Sequence, residues 1–211
     1  MEDVLALYER KYNPKKPIVC MDERPCFLIG DVIAPFPMEP GKPYREHYAY
    51  VKNGSCALLA CIEPLTGKRI AKVYDQRTAK EYTDFMQIIA ASYPDAEKII
   101  IVQDNLNTHQ FGSFYKHLPA KEARMLVERF EFHYTPKASS WLNMIEIEFS
   151  AISRIALNRR ISTKEDLKNT IDAIVKKRNL DAVKIKWQFT VNDARNVFKS
   201  KYNLVCTQNE I

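Results

Sequence analysis

The chain has 211 residues, 46% of them apolar and 27% charged, which fits one large or two small folded domains and excludes general disorder. With 5 glycines, no G-x-G-x-x-G or Walker pattern, and no uncharged run longer than the mostly polar Asn105–Tyr115, it is neither a Rossmann nor a P-loop protein and has no membrane partner. The net charge of +6 is uneven: residues 1–150 carry 19 basic and 20 acidic groups, residues 151–201 carry 13 and 5, so the basic C-terminal part points to a polyanionic partner.

Ile18 to Asp22 is a short apolar run ending in an acid and reads as a buried strand. Residues 25–43 contain Pro25, Pro35, Pro37, Pro40 and Pro43, and the loss of backbone donors predicts loop or edge structure there. His47 to Lys52 reads as a strand, Asn53-Gly54 as a hairpin turn and Ser55 to Ile62 as the returning strand. Thr66-Gly67 turns again into a strand over Arg69 to Tyr74, which completes an antiparallel meander. Thr78 with Glu81 forms a capping box for a helix to about Tyr93, with Phe85, Ile88 and Ile89 as its apolar stripe. Lys98 to Gln103 holds Ile99, Ile100, Ile101 and Val102 without interruption, as a strand covered on both faces would.

Helical sequence follows over 110–129 with a break near Pro119, then a strand from Phe130 to Tyr134 stopped by Pro136. A helix is predicted from about Ser140 to Asn158. Ser162 with Glu165 caps another to about Arg178, and Thr190 with Asp193 opens a last one. A meander followed by alternating helices and strands implies an α/β fold, a mixed sheet with helices on its faces. Glu2 and Asp3 in place of an apolar leader argue against a signal peptide. Cys20, Cys26, Cys56, Cys61 and Cys206 form no C-x-x-C pair and read as reduced thiols of a cytoplasmic protein.

Asp22 and Asp104 each end an apolar strand. An unpaired carboxylate is too costly to bury, so each either caps the following segment or belongs to a site. If their strands are parallel neighbours, the two carboxylates converge at one sheet edge, where open α/β sheets hold ligands. Mg²⁺, a hard cation that favours oxygen ligands, would relieve their repulsion. Downstream, Leu142, Ile145, Phe149, Ile152 and Ala156 form one apolar helical stripe, and Glu146 and Glu148 flank it on opposite sides. Helical geometry alone does not choose between these two glutamates.

Three segments, Asp104-Asn105-Leu106-Asn107-Thr108-His109, His133-Tyr134-Thr135-Pro136-Lys137 and Trp141-Leu142-Asn143-Met144-Ile145-Glu146, resemble the catalytic core of DDE transposases. The similarity is closest to bacterial insertion-sequence transposases related to the mariner superfamily. Cys20-Met21-Asp22-Glu23 is similar to the first-strand motif and Trp187-Gln188-Phe189-Thr190 to a C-terminal motif, so the resemblance covers nearly the whole chain. It implies a ribonuclease H-like fold with a mixed five-stranded sheet and helices on both faces. Residues 1–158 would form the catalytic core, and residues 159–211 a basic helical extension packed on it.

The resemblance also implies a metal-dependent DNA endonuclease and strand-transferase that cleaves phosphodiester bonds at element ends. Two Mg²⁺ ions, replaceable by Mn²⁺, would be held by the catalytic residues Asp22, Asp104 and Glu146; the Asn143-x-x-Glu146 match selects Glu146 over Glu148. Full-length relatives carry an N-terminal helix-turn-helix region, for which the 21 residues before Asp22 leave no room, so a catalytic domain alone is expected. The partner would be double-stranded DNA, bound by a homodimer, in the bacterial cytoplasm at the nucleoid. Alternatives are a catalytically silent DNA-binding or dimerising remnant, and a ribonuclease H-like nuclease for branched DNA.

Asn105, Asn107 and His109 would orient Asp104, contact DNA or cap the next helix. His133 is either a satisfied core histidine or, like Lys137, a candidate for phosphate contact, and Trp141 reads as core rather than as a base-stacking platform. Arg154, Arg159, Arg160, Lys176, Lys177, Arg178, Lys184 and Lys186 are candidate phosphate contacts in the basic region.

Overall fold

Ile99, Ile100, Ile101 and Val102 are all buried in β4 (Ile99–Gln103). Ile100 and Val102 enter one core and Ile99 and Ile101 the other, so this strand is covered on both faces. The structure is a computed structural model that describes residues 1–106 and 109–202; Asn107, Cys206 and the end of the basic extension lie outside the described residues. The sheet also contains β1 (Ile18–Asp31), β2 (Tyr50–Glu63), β3 (Lys68–Tyr74) and β5 (Phe130–Tyr134). Its order is β3-β2-β1-β4-β5; β1, β2 and β3 pair antiparallel, while β1, β4 and β5 run parallel.

One face carries α2 (Ala79–Ser92), α3 (Gly112–His117) and α4 (Ala120–Arg129), whose Phe85, Ile89, Phe114 and Leu126 pack with Met21 and Ile101. The other carries α1 (Glu2–Tyr8), α5 (Ile145–Ala156), α6 (Lys164–Leu180) and α7 (Val191–Val197), packed on Cys20, Leu58 and Val102. The capping boxes at Thr78 and Thr190 form as predicted. Among the described residues no helix is long and apolar enough to cross a membrane, and four cysteines are free thiols.

Four local readings are corrected. The strand expected to end at Asp22 runs on to Asp31, so Asp22 and Pro25 lie within β1; Pro25 is tolerated there as edge structure, because β4 pairs only with Ile18–Cys20 and leaves one side of β1 beyond it without a partner strand. Asn53-Gly54 is not a hairpin turn but part of β2, which pairs with β1 along its length. The register shifts between Leu28 and Ile29 opposite this dipeptide, so Asn53 is the extra residue of a bulge and Gly54, at φ +115°, absorbs it. The helix predicted over 140–158 is a 3-10 turn, Ser140–Leu142, then a break, then α5. Thr163, not Ser162, caps α6, accepting from the Asp166 N–H at 3.1 Å.

Candidate active site

Cys20 of β1 stands opposite Val102 of β4 in parallel register, and two more residues along each strand lead to Asp22 and Asp104. The two aspartates therefore emerge side by side, at the carboxyl end of β4. Side chains alternate along a strand: Cys20 packs on the α5 face and Met21 on the α2 face, so Asp22 faces α5 and Glu23 faces α2. Asp22 and Asp104 line a cleft of about 450 Å³ together with Asn105, Thr135, Lys137 and Ser139. Its rim includes Ala138, at φ +56°, a left-handed conformation that costs a non-glycine residue roughly 1–3 kcal/mol.

Asn143 is where α5 is locked to the sheet. It is 1% exposed, donates to the Met21 carbonyl at 2.8 Å, and its own carbonyl accepts from the Glu146 N–H at 3.1 Å. The residue thus ties the start of α5 to the strand position just before Asp22. Arg24 adds a second tie, donating to the Phe149 carbonyl at 3.1 Å and to Ser153 Oγ. Glu146 lies in the first turn of α5 with its side chain exposed. Burial, reinforced by the negative charges of Asp104 and Glu146, pushes the Asp22 carboxyl up to about 7, against the Glu23 N–H that donates to it at 2.7 Å. Among the described residues, no three carboxylate, imidazole or thiol groups form a ready-made cage for a metal ion.

Glu148 leaves the same helix turn in another direction. It is 2% exposed and accepts from Arg178 Nε at 2.6 Å and Nη2 at 2.8 Å. Arg69 Nε, on β3, lies 2.8 Å from it, an ion-pair distance without hydrogen-bond alignment. Glu148 is thus the common anchor of α5, α6 and β3. Glu148→Gln is expected to lower the unfolding free energy by roughly 3 kcal/mol, because it leaves buried guanidinium charge uncompensated. Urea denaturation checks this; an unchanged midpoint would show the network to be energetically idle.

A family model described as DDE superfamily endonuclease matches residues 17–168. The chain belongs to that family. Solved structures with a similar fold include the Mos1 mariner paired-end complex with Mn, at TM-score 0.57 and 17% identity over 86% of this chain and 55% of that one. The Mos1 strand transfer complex matches at 0.56 and 17%, over 86% and 54%. The Mos1 paired-end complex with Mg matches at 0.52 and 20%, over 83% and 52%. Identities this low speak for the fold alone, which is the ribonuclease H-like α/β arrangement expected from the sequence. The chain spans about half the length of these Mos1 chains. No curated protein matches its sequence.

Within this DDE-family fold the other candidate residues separate. Asn105 and Lys137 share the cleft with the two aspartates. His109 is fully buried, so it offers no surface to DNA and instead bonds Asp104. Asn107 lies outside the described residues. Arg159 is held by Asp166 at 2.7 and 2.8 Å, and Arg160 by Asp31 at 2.7 Å and the His47 carbonyl at 2.7 Å. With Arg24, these two line a separate cavity of about 220 Å³. Lys184 and Lys186 line a third, largely apolar cleft with Tyr8 and Trp187. Arg154 is exposed and makes no ion pair among the described residues.

Two phosphate candidates are engaged by carboxylates, which for His133 is the satisfied histidine of the sequence reading. Arg178 is engaged by Glu148, and His133 is flanked by Asp3 at 2.6 Å and Glu131 at 3.0 Å. Trp141 is 43% exposed, yet it stacks with Trp187 at 6.4 Å and meets Phe189 edge-on, which gives the Trp187-Gln188-Phe189-Thr190 motif a packing role. Sequence reasoning overlooked Asn143 as a brace and Glu23 as a partner of His109. The Asn-x-x-Glu spacing carried the signal for Asn143; Glu23 carried none beyond its place after Asp22.

Proposed function

We propose that this chain is the nuclease and strand-transfer core of a transposase, acting on double-stranded DNA with divalent metal ions, Mg²⁺ or Mn²⁺. The observation that carries the reading is the side-by-side placement of Asp22 on β1 and Asp104 just after the parallel strand β4, in an open cleft. The Mos1 structures with Mn, with Mg and with paired transposon ends give this reading its substrate and its metals. In its division of labour, residues 1–158 are the catalytic core and residues 159–211 a basic extension.

The donor set fits a hard cation. Mg²⁺ keeps several waters and is commonly held by one or two carboxylates plus substrate phosphates, so no complete protein cage is needed. The Asp22 carboxyl, raised to about 7 by burial and by its acidic neighbours, has charge that a cation would stabilise. Asp22, Asp104 and Glu146 would together hold two such ions. Such a pair of ions supplies an activated attacking oxygen, neutralised phosphate charge and a stabilised leaving oxygen. Lys137, at the cleft edge, would hold the phosphate flanking the scissile bond. Ser139, beside it, offers a hydroxyl donor to the same backbone. Asn143 keeps α5 against β1, and with it the spacing of Glu146 from Asp22.

Incubation of supercoiled plasmid with the purified chain and Mg²⁺ tests the reading. Open-circular product that forms with Mg²⁺ or Mn²⁺, disappears with chelator and is missing for Asp104→Asn is expected. Nicking that survives Asp104→Asn would sink it.

A further inference from the structure

On the α2 face, behind the cleft, lies a second polar assembly. Glu23 is one residue beyond Asp22 and points to the opposite side of the sheet. Its side chain is 7% exposed, and one oxygen lies 3.3 Å from His109 Nε2. The other ring nitrogen of His109, Nδ1, lies 2.5 Å from Asp104 Oδ1. One buried imidazole therefore spans from an acid on β1 to the acid that directly follows β4.

The ring itself is fixed from several sides. It stacks on Tyr82 with centroids 5.0 Å apart. Its main-chain carbonyl accepts from Gln103 Nε2 at 2.5 Å, and Gln103 Oε1 accepts from the Tyr82 hydroxyl at 3.0 Å. Tyr82 and Gln103 are buried, so the frame is part of the α2-side core. The other oxygen of Asp104, Oδ2, makes no hydrogen bond among the described residues. With one oxygen held from behind, the carboxylate has a single orientation toward the cleft it lines.

We infer that His109 and Glu23 are positioning residues: the Glu23–His109 bridge grips one oxygen of Asp104 from the α2 side of the sheet and thereby presents the other to a divalent cation in the cleft. The inference rests on the metal reading given above and adds to it two residues that touch neither metal nor DNA. A carboxylate free to rotate would have to be ordered at the moment of binding. One held by an outer partner is ordered beforehand, and loss of such partners typically costs about 10–100-fold in metal affinity.

The test is Mn²⁺ binding to the full chain without DNA, read by electron paramagnetic resonance of the free ion, with thermal melting recorded alongside. His109→Ala and Glu23→Leu should each weaken Mn²⁺ binding by about 10-fold or more. His109→Asn retains an amide N–H where Nδ1 stood and should recover much of the loss. Glu23→Gln retains an acceptor for Nε2–H and should bind nearly as the parent does. A purely structural role would lower the melting temperature without ranking asparagine above alanine in Mn²⁺ affinity. If His109→Ala does not fold, His109→Asn and the Glu23 pair decide. Parent-like affinity in folded His109→Ala and Glu23→Leu would overturn the inference alone. Absence of Mn²⁺ binding by the parent would overturn the inference; if metal-dependent plasmid nicking is absent as well, the metal reading falls with it.

Discussion

Glu146→Gln is expected to cut Mg²⁺-dependent plasmid nicking by roughly 100-fold or more, about 2.7 kcal/mol of barrier, while the fold is retained. Glu146 is exposed in the first turn of α5 and carries none of the ion pairs that hold the helix in place. If Glu146 holds metal as proposed, its replacement by an isosteric amide would remove a hard, charged oxygen ligand and disturb little else. The helix stays anchored through Asn143 and Glu148. Glu148→Gln should behave in the opposite way, with a loosened fold and any loss of nicking following the loss of stability. Circular dichroism and nicking at saturating Mg²⁺ separate the two. A folded but inactive Glu148→Gln beside an active Glu146→Gln would reverse the assignment.

Asp22→Asn should abolish nicking and yet stabilise the metal-free protein at neutral and alkaline pH. The carboxyl titrates at about 7 in the folded chain against a reference of 3.8. The folded state thus holds this proton more tightly than the unfolded state does. Stability from this group is intact below pH 3.8, declines as pH rises, and is fully lost above about 7. The full difference corresponds to on the order of 4 kcal/mol; partial solvent access reduces the expected gain in Asp22→Asn to roughly 2 kcal/mol. Urea unfolding from pH 4 to pH 8 should show parent and variant converging in acid and diverging in base. Added Mg²⁺ should narrow the gap by stabilising the parent alone. A variant no more stable than the parent at pH 8 would refute the burial argument.

Much of the frame was legible in the linear chain because its signals are local. An unbroken Ile99–Val102 run has no polar face to give to water, so it becomes a central strand. Thr78 with Glu81, and Thr190 with Asp193, satisfy orphan N–H groups within one turn, so those helices start where the sequence predicts. Asp22 and Asp104 could be singled out because each follows an unbroken apolar run, although Asp22 lies within β1 rather than at its end.

Partnership was not local, and there tertiary structure decided. Asn53-Gly54 has the composition of a tight turn, but β1 offers β2 a full-length antiparallel partner and the glycine's freedom is used in a bulge instead. Pro25 remains in a strand because β4 stops short of it. The direction of each glutamate on α5 was fixed by charges remote in sequence: Arg69 and Arg178 draw Glu148 into the packed side of the helix, which leaves Glu146 as the acid whose charge reaches Asp22. A helical wheel places both residues beside the apolar stripe, but a buried carboxylate is stable only where counter-charges meet it, and those come from β3 and α6.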